Sequence, residues 1–217
     1  MKASIFIILC LIIISCRNTE KEKYSEIPRK LEYDSNYCEY YSYQFDSTKN
    51  IEDVIDDFYK NSPQKDSLQL NLCIGAYYHK KKEYKLALTY FFKGYLIDSL
   101  DPKINFNISL SLGKLKMYSE ALKHVNIALQ TNCKSYEHLG QKCFLLNKLG
   151  RYKEAIEVAL QAKDINPDDK KVYISLILYF DKLEYKDSII KYFEIMDKLF
   201  DDSLSDCLMD IKEKYKN

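Results

Sequence analysis

The residues best suited to chemistry in this sequence are its three histidines and seven cysteines. His79, His124 and His138 are far apart along the chain, and none stands in a His-Glu-x-x-His pattern, so they do not predict a metal site. The sequence also contains no Gly-x-Ser-x-Gly nucleophile turn and no glycine-rich phosphate loop. We therefore expect no enzymatic activity, no metal and no cofactor; an enzyme of unrecognised type is the least favoured alternative.

One cysteine stands in a context that indicates covalent modification. Cys16 follows an apolar run from Ile5 to Ile14 and the small residue Ser15, and polar residues begin at Arg17. The run is about half as long as the roughly 20 residues that cross a bilayer as a helix, and it matches the core of a secretory signal peptide. This context resembles the bacterial lipobox, whose cysteine thiol receives lipid before the peptide is cut just ahead of it.

The lipobox resemblance implies that residues 1–15 are a lipoprotein signal peptide and that Cys16 is acylated, which fixes the chain to a membrane. The alternative is an uncleaved anchor in which Cys16 has no role. Residues 16–28 are polar and are interpreted as a tether. Arg17 is not the aspartate that retains lipoproteins in the inner membrane of some bacteria. The resemblance therefore implies the bacterial cell envelope and favours the outer membrane, on its periplasmic or surface face.

A repeated pattern organises most of the remaining chain. Tyr84-x-x-Ala87 recurs after 34 residues as Tyr118-x-x-Ala121 and again as Tyr152-x-x-Ala155. A fourth aromatic residue, Tyr185, arrives one residue early, and the fourth repeat is therefore placed at 169–202 with Leu176, Ser188 and Ile195 at its small positions. This pattern resembles the tetratricopeptide repeat (TPR), a helix–turn–helix unit of about 34 residues.

The TPR resemblance implies an all-α fold, a right-handed superhelical stack of four repeats over residues 67–202. A single helix pair cannot bury its apolar face alone, so such stacks end in a helix with a polar outer side. An apolar stripe at Leu204, Cys207, Leu208 and Ile211 predicts this capping helix within residues 203–217. Five glycines and four prolines are too few for a fold of many short strands.

The segment 29–66 is harder to interpret. Ile51, Val54, Ile55 and Phe58 predict one face of a helix, whereas residues 37–45 are rich in tyrosine and show no period. We favour a degenerate N-terminal helical pair. A short strand and an aromatic arm lying against the repeats remain alternatives.

Five cysteines remain beyond Cys16 in the predicted mature chain, and this odd number leaves at least one thiol unpaired in an oxidising compartment. A disulfide between Cys133 and Cys143 is conceivable, provided that the repeats bring their Cα atoms within about 7 Å. Cys143 also occupies a small-residue position of the repeat, where a free thiol acts as a small apolar side chain.

The TPR family binds ligands in a groove lined by the first helix of each repeat. Carried onto this sequence, the resemblance implies that one edge of the groove is formed by Lys80, Lys114 and Lys148. Its floor would be formed by the aromatic residues Phe106, Phe144 and Tyr173. His79 and Asn147 would add two polar contacts. Such a groove would suit an extended protein or peptide segment that carries carboxylates. The alternative is that lysine simply suits the last turn of a helix.

Charge and composition narrow the class of function. The chain has 33 basic and 32 acidic residues, so it lacks the overall positive charge of a nucleic-acid-binding protein. We interpret it as a lipid-anchored scaffold that binds a protein partner at the cell envelope. A glycan- or solute-binding lipoprotein of an uptake system is the main alternative, although the sequence has no tryptophan to form a sugar-binding platform.

Overall fold

The structure is a computed structural model that describes residues 50–53, 55–56, 67–131, 135–200 and 206–215. These residues form α1 (Ser67–Lys80), α2 (Tyr84–Tyr95), α3 (Pro102–Lys114), α4 (Tyr118–Thr131), α5 (Tyr136–Lys148), α6 (Tyr152–Ile165), α7 (Lys170–Lys182), α8 (Lys186–Leu199) and α9 (Asp206–Lys214), and residues 51–53 and 55–56 are also helical. Within these ranges there is no strand. Cys16, the predicted tether and the aromatic run 37–45 lie outside them and stay predictions.

The turn inside each helix pair repeats with a fixed backbone geometry. Lys82, Lys116, Gly150 and Glu184 all adopt a left-handed conformation, with φ between 56° and 71°, and they follow one another at the spacing of the sequence repeat. Each turn is closed in the same way where the bonds are described: Glu83 N–H donates to the Tyr78 carbonyl and, in later repeats, Arg151 to Leu146 and Tyr185 to Phe180, at 2.9–3.0 Å. The all-α helix–turn–helix repeat fold is thus confirmed.

These turns correct the predicted register of the fourth repeat. Helix α8 begins at Lys186, one full repeat period after the start of α6 at Tyr152, so the backbone period is kept and Tyr185 lies just before the helix. The placement at 169–202 was therefore wrong by one residue. Ile189 and Met196 are buried on α8, whereas Ser188 and Ile195, assigned to those positions from the sequence, are partly exposed.

The chain divides into two units, residues 1–115 and 116–217. In the first, α2 packs against both α1 and α3. Phe91, Ile104 and Ile108 are fully buried there. The backbone of α2 approaches α3 closely at Gly94, where a Cβ atom would lie 2.6 Å from Cδ1 of Ile104.

Helix α3 has a well-formed beginning. Oδ1 of Asp101 accepts a hydrogen bond from Ile104 N–H at 2.7 Å, and Pro102 is the first helical residue, where it removes no intrahelical hydrogen bond. The Asn105 side chain donates to the carbonyls of Asp101 and Ser99, both at 2.9 Å, which ties the loop to the helix. This loop is therefore fixed relative to α3.

In the second unit, α4 to α8 pack in chain order. Helices α5 and α7 are joined at their N-terminal ends by the hydroxyl of Tyr136, which donates to Oδ2 of Asp169 at 2.6 Å. Asp169 also caps α7 by accepting from Lys171 N–H at 2.8 Å. Two bonds to one carboxylate thus position the first helix of the fourth repeat.

The capping helix predicted from the apolar stripe is confirmed as α9. Leu208 and Ile211 are buried, while Lys212 and Lys214 reach back to carboxylates of earlier helices. Lys212 Nζ lies 2.7 Å from Oδ2 of Asp197 on α8, and Lys214 Nζ lies 2.8 Å from Oδ1 of Asp181 on α7. Within the described part of the chain, no helix combines the length and apolar character needed to cross a membrane.

Candidate functional site

A lysine is the last residue of the first helix in all four described helix pairs. These helix-end lysines recur at the spacing of the sequence repeat, and all are exposed: Lys80, Lys114, Lys148 and Lys182. Three of them were predicted as the edge of a binding groove. Lys182 was missed because the early arrival of Tyr185 shifted the predicted fourth repeat by one residue, although counting one further repeat from Lys148 would have found it.

In the first unit, His79 links the ends of three helices near two helix-end lysines. Its Nδ1 atom is hydrogen-bonded with the Ser111 hydroxyl of α3 at 2.8 Å, and its ring lies edge-on to Tyr84 of α2, with centroids 5.2 Å apart. Burial lowers the pKa of His79, and the nearby charge of Lys114 lowers it further. His79 thus connects α1, α2 and α3 at this end, beside Lys80 and Lys114.

Phe106, also predicted for the groove floor, lies half-buried on α3. It is on the same helix as Lys114, slightly more than two helical turns before it. The structure therefore places Phe106 and Lys114 along one helix of the first unit.

In the second unit, Phe144 is the predicted floor residue that remains accessible, with 40% of its surface exposed. Its ring lies edge-on to Tyr118 at 6.3 Å between centroids, and Nζ of Lys148 stands 5.6 Å from its centroid. One turn earlier on α5, Gly140 leaves open space, since a Cβ there would meet no atom within 4 Å. Asn147 is half-buried on the same helix. This is a small aromatic surface with a cation at its edge.

Tyr173 has a structural position instead of the predicted place on the groove floor. It is 4% exposed, its hydroxyl donates to the Pro167 carbonyl at 2.7 Å, and its ring packs against Phe200 with centroids 5.6 Å apart. The corrected register puts Ile174, which is half-buried, at the position first given to Tyr173. Tyr173 is therefore buried away from any ligand of the groove.

In the described part of the chain, the other side chains that could be reactive contribute to packing. Burial lowers the pKa of His124 and of His138. Cys143 carries a free thiol that lies 3.6 Å from the Ala155 carbonyl, and burial raises the pKa of this thiol to about 12. A thiol of that kind is a poor nucleophile. Among the described residues, no three histidine, cysteine, aspartate or glutamate side chains converge as a metal site would require.

Solved structures of proteins called MamA are among those that resemble this chain. The double mutant of MamA RS-1 superposes with a TM-score of 0.64 at 19% sequence identity, covering 70% of this chain and 88% of that one. MamA AMB-1 gives a TM-score of 0.59 at 16% identity, covering 81% of this chain and 98% of that one. MamA MSR-1 gives 0.58 at 16% identity, covering 67% and 82%.

The sequence matches no protein-family model, and no curated protein sequence is similar to it. At such low identity, the agreement with MamA concerns the path of the backbone and leaves open what is bound. The chain therefore shares the helical-repeat fold of these structures.

Proposed function

We propose that this chain is a lipid-anchored repeat scaffold that binds an extended, carboxylate-rich segment of a protein partner at the bacterial cell envelope, with the outer membrane as the favoured location. The observation that carries the binding part is the exposed lysine at the end of every described first helix, repeated once in each helix pair at a constant spacing. The scaffold has no chemistry of its own in this proposal.

Electrostatics explains why several such lysines matter together. An exposed ion pair contributes only about 0–1 kcal/mol, so one lysine would hold a partner weakly. The two in the first unit end α1 and α3, which contact each other. The two in the second unit end α5 and α7, whose opposite, N-terminal ends are linked through the Tyr136–Asp169 hydrogen bond. A segment with several carboxylates can engage more than one of them, and its binding would weaken as salt screens the charges.

An aromatic contact supports the same function in the second unit. Phe144 is exposed beside Lys148, and Gly140 leaves room next to it. An apolar side chain of the partner that packs on Phe144 would exclude water from an ion pair formed by the neighbouring Lys148, and a desolvated charge pair is less screened. No observation favours the glycan- or solute-binding alternative in the same way.

The binding proposal is tested by reversing the four helix-end lysines together: Lys80→Glu, Lys114→Glu, Lys148→Glu and Lys182→Glu. The matched control reverses four exposed lysines of second helices, Lys123, Lys153, Lys191 and Lys198, and changes the net charge equally. A partner is first identified by crosslinking in intact cells, and its affinity for each variant is then measured at several salt concentrations. We expect at least a tenfold loss for the helix-end variant alone. Equal losses, or binding of glycans on an array, would contradict the proposal.

The anchoring part rests on the residues around Cys16. A single acyl chain binds a membrane only marginally, whereas two or three hold a protein firmly, so complete lipidation matters for location. Cys16→Ala should abolish labelling by a fatty-acid analogue and leave the precursor uncut. Cys10→Ala, a change within the same apolar run, should be labelled and processed normally. Labelling that persists in Cys16→Ala would contradict the anchor.

A further inference from the structure

Positive charge is concentrated at one end of the first unit. Among the described residues, five lysines lie there beside one acidic residue, Glu83, and all six are exposed. We call these lysines the turn cluster: Lys80, Lys81, Lys82, Lys85 and Lys114. In a chain whose charges otherwise nearly cancel, this is a strong local excess.

The fold brings the turn cluster together from three helices. Lys80 ends α1, Lys82 occupies the left-handed turn, and Lys85 lies in the first turn of α2. Lys114 ends α3 and reaches the same end of the unit, because α3 contacts α1 and the two are joined there by the hydrogen bond between His79 and Ser111. The charges therefore share one surface.

A shallow apolar depression lies within this surface. It is lined by Tyr84, Leu86 and Leu115 together with Lys82, Glu83 and Lys85. Leu86 is 37% exposed and therefore offers apolar surface to an occupant of the depression. An occupant that suits both features would carry acidic groups and aromatic or apolar side chains.

One segment of this chain has that composition. Residues 32–46 contain four acidic residues, Glu32, Asp34, Glu39 and Asp46, six aromatic residues and no basic residue. The segment lies outside the described residues. Its opposite charge and its aromatic rings match what the turn cluster and the depression offer.

The connection between the two is long enough. The residues 47–66 separate the segment from the start of α1. Helix α1 has 14 residues and is therefore about 21 Å long at 1.5 Å per residue, so its lysine end is about that far from Ser67. Even ten extended residues can span about 33 Å. Tethering of this kind gives an effective concentration on the order of millimolar, so a weak contact suffices.

We propose that the acidic aromatic segment 32–46 binds to the turn cluster of its own chain. Its carboxylates pair with the lysine ammonium groups, and its tyrosine rings pack in the depression beside Leu86 and Leu115. Because Lys80 and Lys114 belong to both surfaces, a docked segment competes with the carboxylate-rich partner proposed above. The docking itself does not depend on that partner and is measured without it.

Zero-length carbodiimide crosslinking of the mature full-length chain in detergent tests the contact. Carboxylates of residues 32–46 should link to the turn cluster at least fivefold more often than to the exposed Lys148, Lys153 and Lys182, and the excess should disappear in 0.5 M salt. Crosslinking an equal mixture of ¹⁴N- and ¹⁵N-labelled protein separates links within a chain from links between chains. An even distribution of links, or links found only between chains, would overturn the proposal.

A variant provides the second readout. Lys80→Glu, Lys82→Glu and Lys114→Glu together should speed chymotrypsin cleavage after the tyrosines of residues 33–43 severalfold. Glutamate is tolerated in the left-handed turn, since Glu184 occupies the equivalent place. The control, Lys148→Glu, Lys153→Glu and Lys182→Glu, should cleave like the wild type. Equal acceleration in both would mean that only net charge matters and would refute the specific contact.

If the lysine variant loses helical circular dichroism, neutralising the segment gives the same test from the other side. Glu32→Gln, Asp34→Asn, Glu39→Gln and Asp46→Asn all lie outside the described helices. Together they should speed chymotrypsin cleavage within the segment to the same severalfold extent. Unchanged cleavage in this variant would overturn the proposal.

Discussion

The ring of Phe91 lies directly over the backbone of Gly75. A Cβ atom at Gly75 would stand 2.5 Å from Cδ1 of that ring, closer than real Cβ atoms come to a neighbouring atom, and 3.0 Å from Cζ. Phe91 is fully buried, so its ring has little space in which to move away. The absence of a side chain at position 75 thus allows α2 to pack closely on α1.

Gly75→Ala is expected to destabilise the protein. Alanine would gain up to about 1 kcal/mol of helix propensity, but overpacking against a buried ring costs typically about 1–3 kcal/mol. We expect a net loss of up to about 2 kcal/mol in the free energy of unfolding, measured by urea titration of helical circular dichroism.

The matched control for this change is Gly140→Ala. Gly140 also lies inside a first helix but is exposed, and a Cβ there meets no atom within 4 Å. Alanine should therefore stabilise by up to about 1 kcal/mol. If Gly75→Ala stabilises as Gly140→Ala does, the packing of Phe91 on Gly75 is not the constraint.

Substitutions at two equivalent positions of the left-handed turns should change the thermal midpoint of unfolding in opposite directions. Gly150 has φ of 71° and Lys116 has φ of 63°. An L-residue pays about 1–2 kcal/mol in this conformation. We expect Gly150→Ala to lower the thermal midpoint. Lys116→Gly should raise it slightly, because relief of this strain outweighs the roughly 0.5–1 kcal/mol entropic cost of glycine. A lower midpoint for Lys116→Gly would argue that the lysine side chain itself stabilises the turn.

The titration of His79 should respond to Lys114. Burial lowers the pKa of His79, and the positive charge of Lys114 lowers it further. Lys114→Gln should therefore raise the pKa of His79, which NMR of the imidazole protons can follow. Lys123→Gln is the control. The charge of Lys123 lowers the pKa of His124, so this change should raise the pKa of His124 and leave the pKa of His79 unchanged. No response of His79 to Lys114→Gln would mean that the two side chains are not close in solution.

Acidification through pH 6.5 should destabilise the protein. All three histidines have a pKa lowered by burial from the ordinary value of 6.5. As the pH falls below 6.5 the unfolded chain takes up protons that the folded chain does not, so the free energy of unfolding decreases. Melting temperatures between pH 7.5 and 5.5 should show this fall. His79→Gln should reduce the slope, and an unchanged slope would mean that the His79 ring is accessible to protons when folded.

Loss of the cap on α3 is expected to cost about 1–2 kcal/mol. Asp101 is buried, and its carboxylate accepts a 2.7 Å hydrogen bond from Ile104 N–H, so Asp101→Ala leaves that donor without its partner. Ser135 caps α5 through a longer bond of 3.4 Å to His138 N–H. Ser135→Ala should therefore cost less in the same urea titration, and a reversed order would contradict the capping geometry.

The repeat architecture was predictable because three copies of the aromatic and small residues keep one spacing. Large side chains cannot replace residues such as Ala121 and Ala155, both fully buried, without separating the helices. Because packing requires small residues at these positions, the repeat period of the first three copies is visible in the sequence.

The fourth copy was misplaced because its side-chain pattern and its backbone disagree. Tyr185 has the residue type that begins the second helix of the earlier pairs, yet it precedes α8 by one residue. Hydrogen bonds such as Tyr185 N–H to the Phe180 carbonyl fix the turn, and they involve no side chain that a sequence pattern could reveal. Because of this one-residue error in register, Tyr173 was predicted for the groove floor and Lys182 was not predicted for its edge.

The recurring left-handed turns have a consequence for how the gene of such a protein can change. A residue inserted between Glu184 and Lys186 would rotate all of α8 by about 100° relative to its partner, whereas a complete additional pair would leave every turn intact. Natural length variants, duplications and grafted copies should therefore differ from this chain by whole multiples of the repeat period.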